Sequence, residues 1–159
     1  GDYERVTYFG RGPQENYSDR RDGVFLGTWN TSASGMMFDY VYPQENGNRT
    51  DVRWISMTDL QGRGIQFLGM EPLSVSVWNT TQEELHKAMH IGEPKMLRDA
   101  FVINVDHVQT GVGGTNTWNQ NARPSDQYRL MKKNYSYSFY IRPVKSRADA
   151  ISAGRRLCR

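Results

Sequence analysis

Three stretches of this chain alternate apolar and polar residues with a period of two. Leu73, Val75 and Val77 are separated by Ser74 and Ser76; Phe101, Ile103 and Val105 by Val102 and Asn104; and Tyr135, Tyr137, Phe139 and Ile141 by Ser136, Ser138 and Tyr140. In an extended chain that period sends successive side chains to opposite faces, so each stretch predicts a strand with one face on a core. Weaker strand candidates are Arg5–Phe9, Gly35–Tyr42, Asp51–Met57 and Gly64–Leu68, with turn chemistry at Asn46-Gly47-Asn48, Asp59-Leu60-Gln61-Gly62 and Lys132-Lys133-Asn134. Short strands at this spacing predict an all-β antiparallel sandwich. One helix is expected near 81–91: Thr80 or Thr81 caps it, Glu83 or Glu84 completes a capping box, Leu85 and Met89 share a face, and Gly92 and Pro94 stop it.

Charge narrows the function classes. The chain has 159 residues, 20 of them Lys or Arg and 17 Asp or Glu. Six of the basic residues (Arg142, Lys145, Arg147, Arg155, Arg156, Arg159) lie at the end with one acid, Asp149, which leaves 14 basic and 16 acidic residues before them. The body is therefore slightly acidic and no nucleic-acid partner is expected. The boundaries that follow are a β domain over 1–143 and a basic tail over 144–159, read as a frayed, solvated tail or a weak helix. No run of about 18 apolar residues offers a membrane span, and no signal peptide is visible at the start. Cys158 is the only cysteine and has no internal disulfide partner.

Several constellations invite chemistry. His86 and His90 have metal-gripping spacing, but Lys87 stands where a zinc protease has Glu, and no third ligand is evident. Asp106-His107 has the form of an acid beside a base, without a nucleophile motif. Asn16, Asn30, Asn48, Asn79 and Asn134 each open an Asn-X-Ser/Thr triplet. Gly111-Val112-Gly113-Gly114 lacks the ending of a phosphate loop; its glycines suit sharp turns. Trp118 follows among Asn116, Asn119, Gln120 and Asn121. An indole face stacks on the C–H face of a sugar while amides bond its hydroxyls, so the loop suits carbohydrate; local packing of the ring is the other reading. The tetrapeptide Pro-Gln-Glu-Asn occurs at 13–16 and at 43–46, but its flanks differ, so it is not read as a repeat.

Three stretches together are more specific: Tyr8-Phe9-Gly10-Arg11-Gly12-Pro13-Gln14-Glu15-Asn16-Tyr17-Ser18-Asp19-Arg20, Tyr42-Pro43-Gln44-Glu45-Asn46-Gly47-Asn48-Arg49, and Gly111-Val112-Gly113-Gly114 leading to Trp118. Over about residues 3–143 the chain resembles the C-terminal β-sandwich, or small-chain domain, of the bacterial β-galactosidases of glycoside hydrolase family 2. The resemblance implies an antiparallel supersandwich of the galactose mutarotase-like type. It implies a non-catalytic domain of a retaining hydrolase of terminal β-D-galactosides such as lactose, whose two catalytic glutamates sit on a TIM barrel, as a domain or a large subunit, elsewhere in the enzyme. No catalytic residue is then expected in this chain, and the chain alone is expected to be inactive. Trp118 takes the role of the loop tryptophan that stacks on the galactoside, with Asn116 and Asn119 as polar neighbours. Where the family often has two acids after the glycines, this chain has Thr115 and Asn116. No cofactor is expected here; the magnesium and sodium of the family belong to other domains. A homo-oligomer of the whole enzyme and a bacterial cytoplasmic or periplasmic location fit the same picture. Two other readings stay open: a free-standing galactoside-binding module, and an epimerase using His107 as base with a carboxylate such as Glu45.

Overall fold

A computed structural model describes residues 3–114 and 119–157. Their strands are β1 (Arg5–Gly12), β2 (Phe25–Ser32), β3 (Arg49–Thr58), β4 (Gly64–Trp78), β5 (Val102–Asp106) and β6 (Phe139–Val144), with helices α1 (Ala33–Met36), α2 (Gln82–Lys87) and α3 (Arg147–Leu157). The strands form one six-stranded sheet in the order β2-β1-β3-β4-β5, with β6 also on β4. All pairings are antiparallel. This is the all-β antiparallel class expected.

Alternation sorts the two faces. Tyr8, Ile55 and Phe67 are in register across β1, β3 and β4, and so are their neighbours Phe9, Trp54 and Leu68. The first row joins Val6, Met36, Val52, Met57, Leu73, Val75 and Val77 in the main core. The second row faces the other way and is covered by Ala153 and Ile151 of α3.

Strand β4 merges two of the expected strands. Along one edge it meets β3; the other edge is divided, Gly64–Gly69 pairing β6 and Ser74–Trp78 pairing β5. Between Val52↔Leu73 and Trp54↔Leu68 the register slips, so residues 69–72 bulge out of β4. Pro72 lies in that bulge, where its missing N–H costs no ladder bond. The bulge of β3 is at Asp51, whose φ of 54° is a left-handed conformation that an Asp tolerates better than most residues. Its carboxylate receives Arg11 Nε at 2.6 Å.

Four expectations about individual elements are corrected. Gly35–Tyr42 is not a strand, because the chain turns into α1, where Ser32 Oγ accepts from the Gly35 N–H. Strand β2, not foreseen, is an edge strand whose exposed Phe25 and Leu26 blur the alternation. The alternating Tyr135 and Tyr137 precede β6: β4 bulges at 69–72 and its edge from Ser74 on is taken by β5, so these tyrosines pack by their rings instead. Helix α2 is shorter than expected. Thr81 caps it by accepting from the Glu84 N–H, and it ends at Lys87.

The segment after β6 forms α3. Ala150 and Ala153 are buried, and a Cβ at Gly154 would overlap the Trp54 indole. Arg142 clasps both Asp149 carboxylate oxygens at 2.8 Å and donates to Gln66 Oε1, while Gln66 Nε2 donates to the Ala150 carbonyl at 2.8 Å. The helix touches the sheet mostly through small residues, with Ile151 beside them, so its own pattern carries little apolar signal.

Candidate functional site

The two Pro-Gln-Glu-Asn segments meet in space. In each, the closing Asn folds back on its own turn: Asn16 Nδ2 donates to the Gln14 carbonyl at 3.0 Å and Asn46 Nδ2 to the Gln44 carbonyl at 2.9 Å. A short polar side chain next to a turn readily makes this bond, so the shared sequence produces a shared device. Asn16 also donates to the Arg11 carbonyl, and its Oδ1 accepts from the backbone N–H and hydroxyl of Thr50. Its backbone N–H reaches the Asn48 carbonyl, and Asn48 Nδ2 returns to the Asn16 carbonyl, both at 2.8 Å. The Glu15 carboxylate, 6% exposed, accepts from the Gly47 N–H and Arg20, both at 2.6 Å, and from the Tyr40 hydroxyl. Buried Arg49 donates to the carbonyls of Pro13 and Gly47 and to the Tyr8 hydroxyl. Gly47 has a φ of 77°, and a Cβ there would overlap the Met36 carbonyl. Asn16 and Asn48 are buried, so their glycosylation triplets are closed to modification in the folded chain.

The knot continues through Tyr17 and Ser18 to Asp19, which holds the glycine loop. Asp19 Oδ2 accepts the Gly113 N–H at 2.6 Å, across 94 positions of sequence. The Gly111 N–H reaches the Tyr128 carbonyl at 2.7 Å. A Cβ on Gly111 would come within 2.8 Å of the Asp19 carboxyl and of Tyr128 Cβ, and a Cβ on Gly114 would overlap the backbone of Ala122. The glycines are therefore required by close approach on three sides. Gly114 on one side and Asn121 and Ala122 on the other bring the two ends of the loop together.

Trp118 and Asn116 lie outside the described residues. Asn119 caps a one-turn 3-10 helix, its Oδ1 accepting from the Asn121 N–H at 2.8 Å. Beside the loop base lies a cleft of about 480 Å³, lined by Ser18, His107, Gln127, Tyr128, Asn134 and Tyr135 among others. His107 stacks on Tyr137 with ring centroids 5.5 Å apart.

The other constellations do not assemble. Helix α2 ends before His90, so His86 and His90 do not share a helical face; His90 Nδ1 lies 3.1 Å from Glu93. Asp106 accepts from Gln109, not from His107, whose Nδ1 is buried without a hydrogen-bond partner among the described residues. Burial, and then the negative charges of Asp106 and Glu15, push the Glu45 carboxyl up. Burial, and then the negative charges of Glu15 and Glu45, likewise push the Tyr17 hydroxyl up from its ordinary value.

Asp19, Arg49 and Tyr128 are the members of this assembly that reading the residues missed. Asp19 and Arg49 stand inside the quoted motifs, but nothing local indicates what they bind.

Comparison with known proteins places this arrangement. A family described as the beta galactosidase small chain matches residues 1–141. The chain is 33% identical over 143 residues to a beta-galactosidase of Priestia megaterium, covering 89% of this chain and 14% of that protein. It is 38% identical over 130 residues to one from Halalkalibacterium halodurans, covering 81% and 12%. Against beta-galactosidase BgaC of Bifidobacterium adolescentis the identity is 35% over 132 residues, again covering 81% and 12%. The chain thus spans about an eighth of the length of these relatives.

Proposed function

This chain belongs to the β-galactosidase small-chain family, and on that premise we propose that it serves a larger enzyme that hydrolyses terminal β-D-galactosides such as lactose. The observation that carries the reading is the glycine loop. Its base at 111–114 is clamped to Asp19 and Tyr128, and Gly114 lies against the backbone of Asn121 and Ala122. Trp118 is the aromatic residue in that interval. In this reading it forms a wall of the sugar site, stacking on the C–H face of the galactoside, with Asn116 and Asn119 beside its hydroxyls. The bond-breaking glutamates belong to a barrel in the rest of the enzyme, one as nucleophile and the other as acid and then base. The isolated chain then hydrolyses nothing, and the magnesium and sodium of the enzyme are held elsewhere.

A residue that only binds and positions acts mainly on affinity. Trp118→Ala in the complete enzyme is expected to raise KM for lactose about ten- to a hundredfold, equivalent to roughly 1–3 kcal/mol, with a smaller change in kcat. Steady-state kinetics measure both. An unchanged KM overturns the assignment.

A further inference from the structure

We infer that the cavity between β2 and the polar knot binds a small aromatic carboxylic acid, with its carboxylate on Arg49 and its ring against the aromatic side chains of the wall. The inference goes beyond the galactosidase reading and does not rest on Trp118. The cavity holds about 530 Å³, within the range of small-molecule sites. Its lining brings the rings of Tyr8, Trp29, Phe38 and Tyr40 together with the guanidinium of Arg49.

Arg49 is a buried cation without a counter-ion. It is 4% exposed, and no carboxylate lies within ion-pair distance of it among the described residues. Its Nε donates to the Pro13 carbonyl at 2.9 Å and the Tyr8 hydroxyl at 3.2 Å. Its Nη1 donates to the Gly47 carbonyl at 2.8 Å, with the Met36 and Asn48 carbonyls farther off at 3.4 Å. Nη2 donates to nothing among the described residues. The guanidinium is therefore fixed by neutral acceptors, while its charge stays unbalanced and one nitrogen stays open.

The other charges on the lining are Glu15 and Arg20. They pair with each other at 2.6 Å, and the Glu15 carboxylate also accepts from the Gly47 N–H and the Tyr40 hydroxyl, so its oxygens are engaged. Two guanidiniums against one carboxylate leave the lining one positive charge in excess. A monoanion balances that charge, whereas a phosphate group, close to doubly charged, exceeds it. A carboxylate also takes a charge-assisted bond from an open guanidinium nitrogen. The ring follows from the wall, where Phe38 and Tyr40 stand 4.7 Å apart at a 54° tilt and offer both faces and edges.

The test is ligand-observed saturation-transfer NMR on the complete protein that contains this chain, with benzoate as the probe. Benzoate is expected to bind with a Kd of roughly 1 mM or below, in keeping with its size. Benzamide, its neutral counterpart, should bind at least about tenfold more weakly. Excess galactose should not displace benzoate, which separates this cavity from a sugar site. Arg49→Lys keeps the charge but lacks Nη2, and should weaken benzoate about tenfold or more. Because Arg49 also holds the knot, a second variant leaves it in place: Phe38→Ala removes a half-exposed ring of the wall and should weaken benzoate about fivefold. If Arg49→Lys fails to fold, benzamide and Phe38→Ala decide. The inference is overturned if benzoate does not bind at up to about 10 mM, the result expected if an acidic side chain from elsewhere in the enzyme already sits on Arg49. It is equally overturned if benzamide binds as well as benzoate, if galactose displaces it, or if Phe38→Ala or a folded Arg49→Lys binds benzoate unchanged.

Discussion

The polar knot around Asn16 and the docked helix α3 both fasten chain to the sheet, by opposite means. In the knot, Asn16, Asn48, Thr50 and Arg49 are buried, and their partners are mostly backbone groups of the two Pro-Gln-Glu-Asn turns. Helix α3 sets Ala153, Gly154 and Ile151 against the Trp54 side of the sheet, and besides the buried Gln66 bond to the Ala150 carbonyl it is tied by Arg142 to Asp149, a pair that is a quarter to a third exposed. The difference teaches where fragility lies. Removing one member of a buried network strands several polar groups away from water, and each stranded group costs about 1–3 kcal/mol. Losing the part-exposed Arg142–Asp149 pair returns its charges to solvent at small cost.

The largest effect is expected at the knot. Asn16→Ala removes four hydrogen bonds, two given and two received, and should cost on the order of 3 kcal/mol locally. Hydrogen exchange in the complete enzyme should show the Thr50 amide losing about a hundredfold of its protection. A loss under threefold would mean the knot tolerates gaps and would erase the contrast with α3. Next comes Gly154→Val. Any side chain there overlaps the Trp54 indole, and overpacking at such a contact costs roughly 1–3 kcal/mol. The expected outcome is lost protection along α3 with the knot amides unchanged; loss in both would show that the two fastenings are coupled.

The smallest effect is that of acid. The hydrogen bonds from Arg142, and then the Lys145 backbone N–H, hold the Asp149 carboxyl below the usual carboxylate value. A carboxylate whose folded value is depressed stabilises the fold above the unfolded value of about 4, and that contribution fades as the pH falls through the lower folded value. Exchange measured from pH 5 down to about pH 3 should therefore find α3 opening while β3 stays closed. Simultaneous opening of both would place the acid-sensitive group in the knot.

Legibility followed the range of the interactions. The strands at Leu73–Val77 and at 101–105 were readable because alternation is a local consequence of half-burial, and the Thr81 cap because a side chain bonds three residues ahead. The merger of two strands into β4 was not readable, since it depends on β5 and β6 dividing one edge between them. Tyr135 and Tyr137 alternate as strand residues do, yet their rings pack around His107. The glycine loop was legible as a loop, whereas its anchor was not: Asp19 and Gly113 are 94 positions apart, and neither signals the other.

By itself the sequence determined what local chemistry determines: the all-β class, the turns, the short capped helix, and motifs specific enough to reveal the family. Tertiary structure alone decided what those parts are fastened to. The two Pro-Gln-Glu-Asn turns form one buried network because the strands bring Asn16 beside Asn48 and Thr50. The last helix finds its seat because Gly154 lets it close on an indole a hundred positions earlier. Such contacts depend on which surfaces the folded sheet brings together, and a linear pattern does not record that distance.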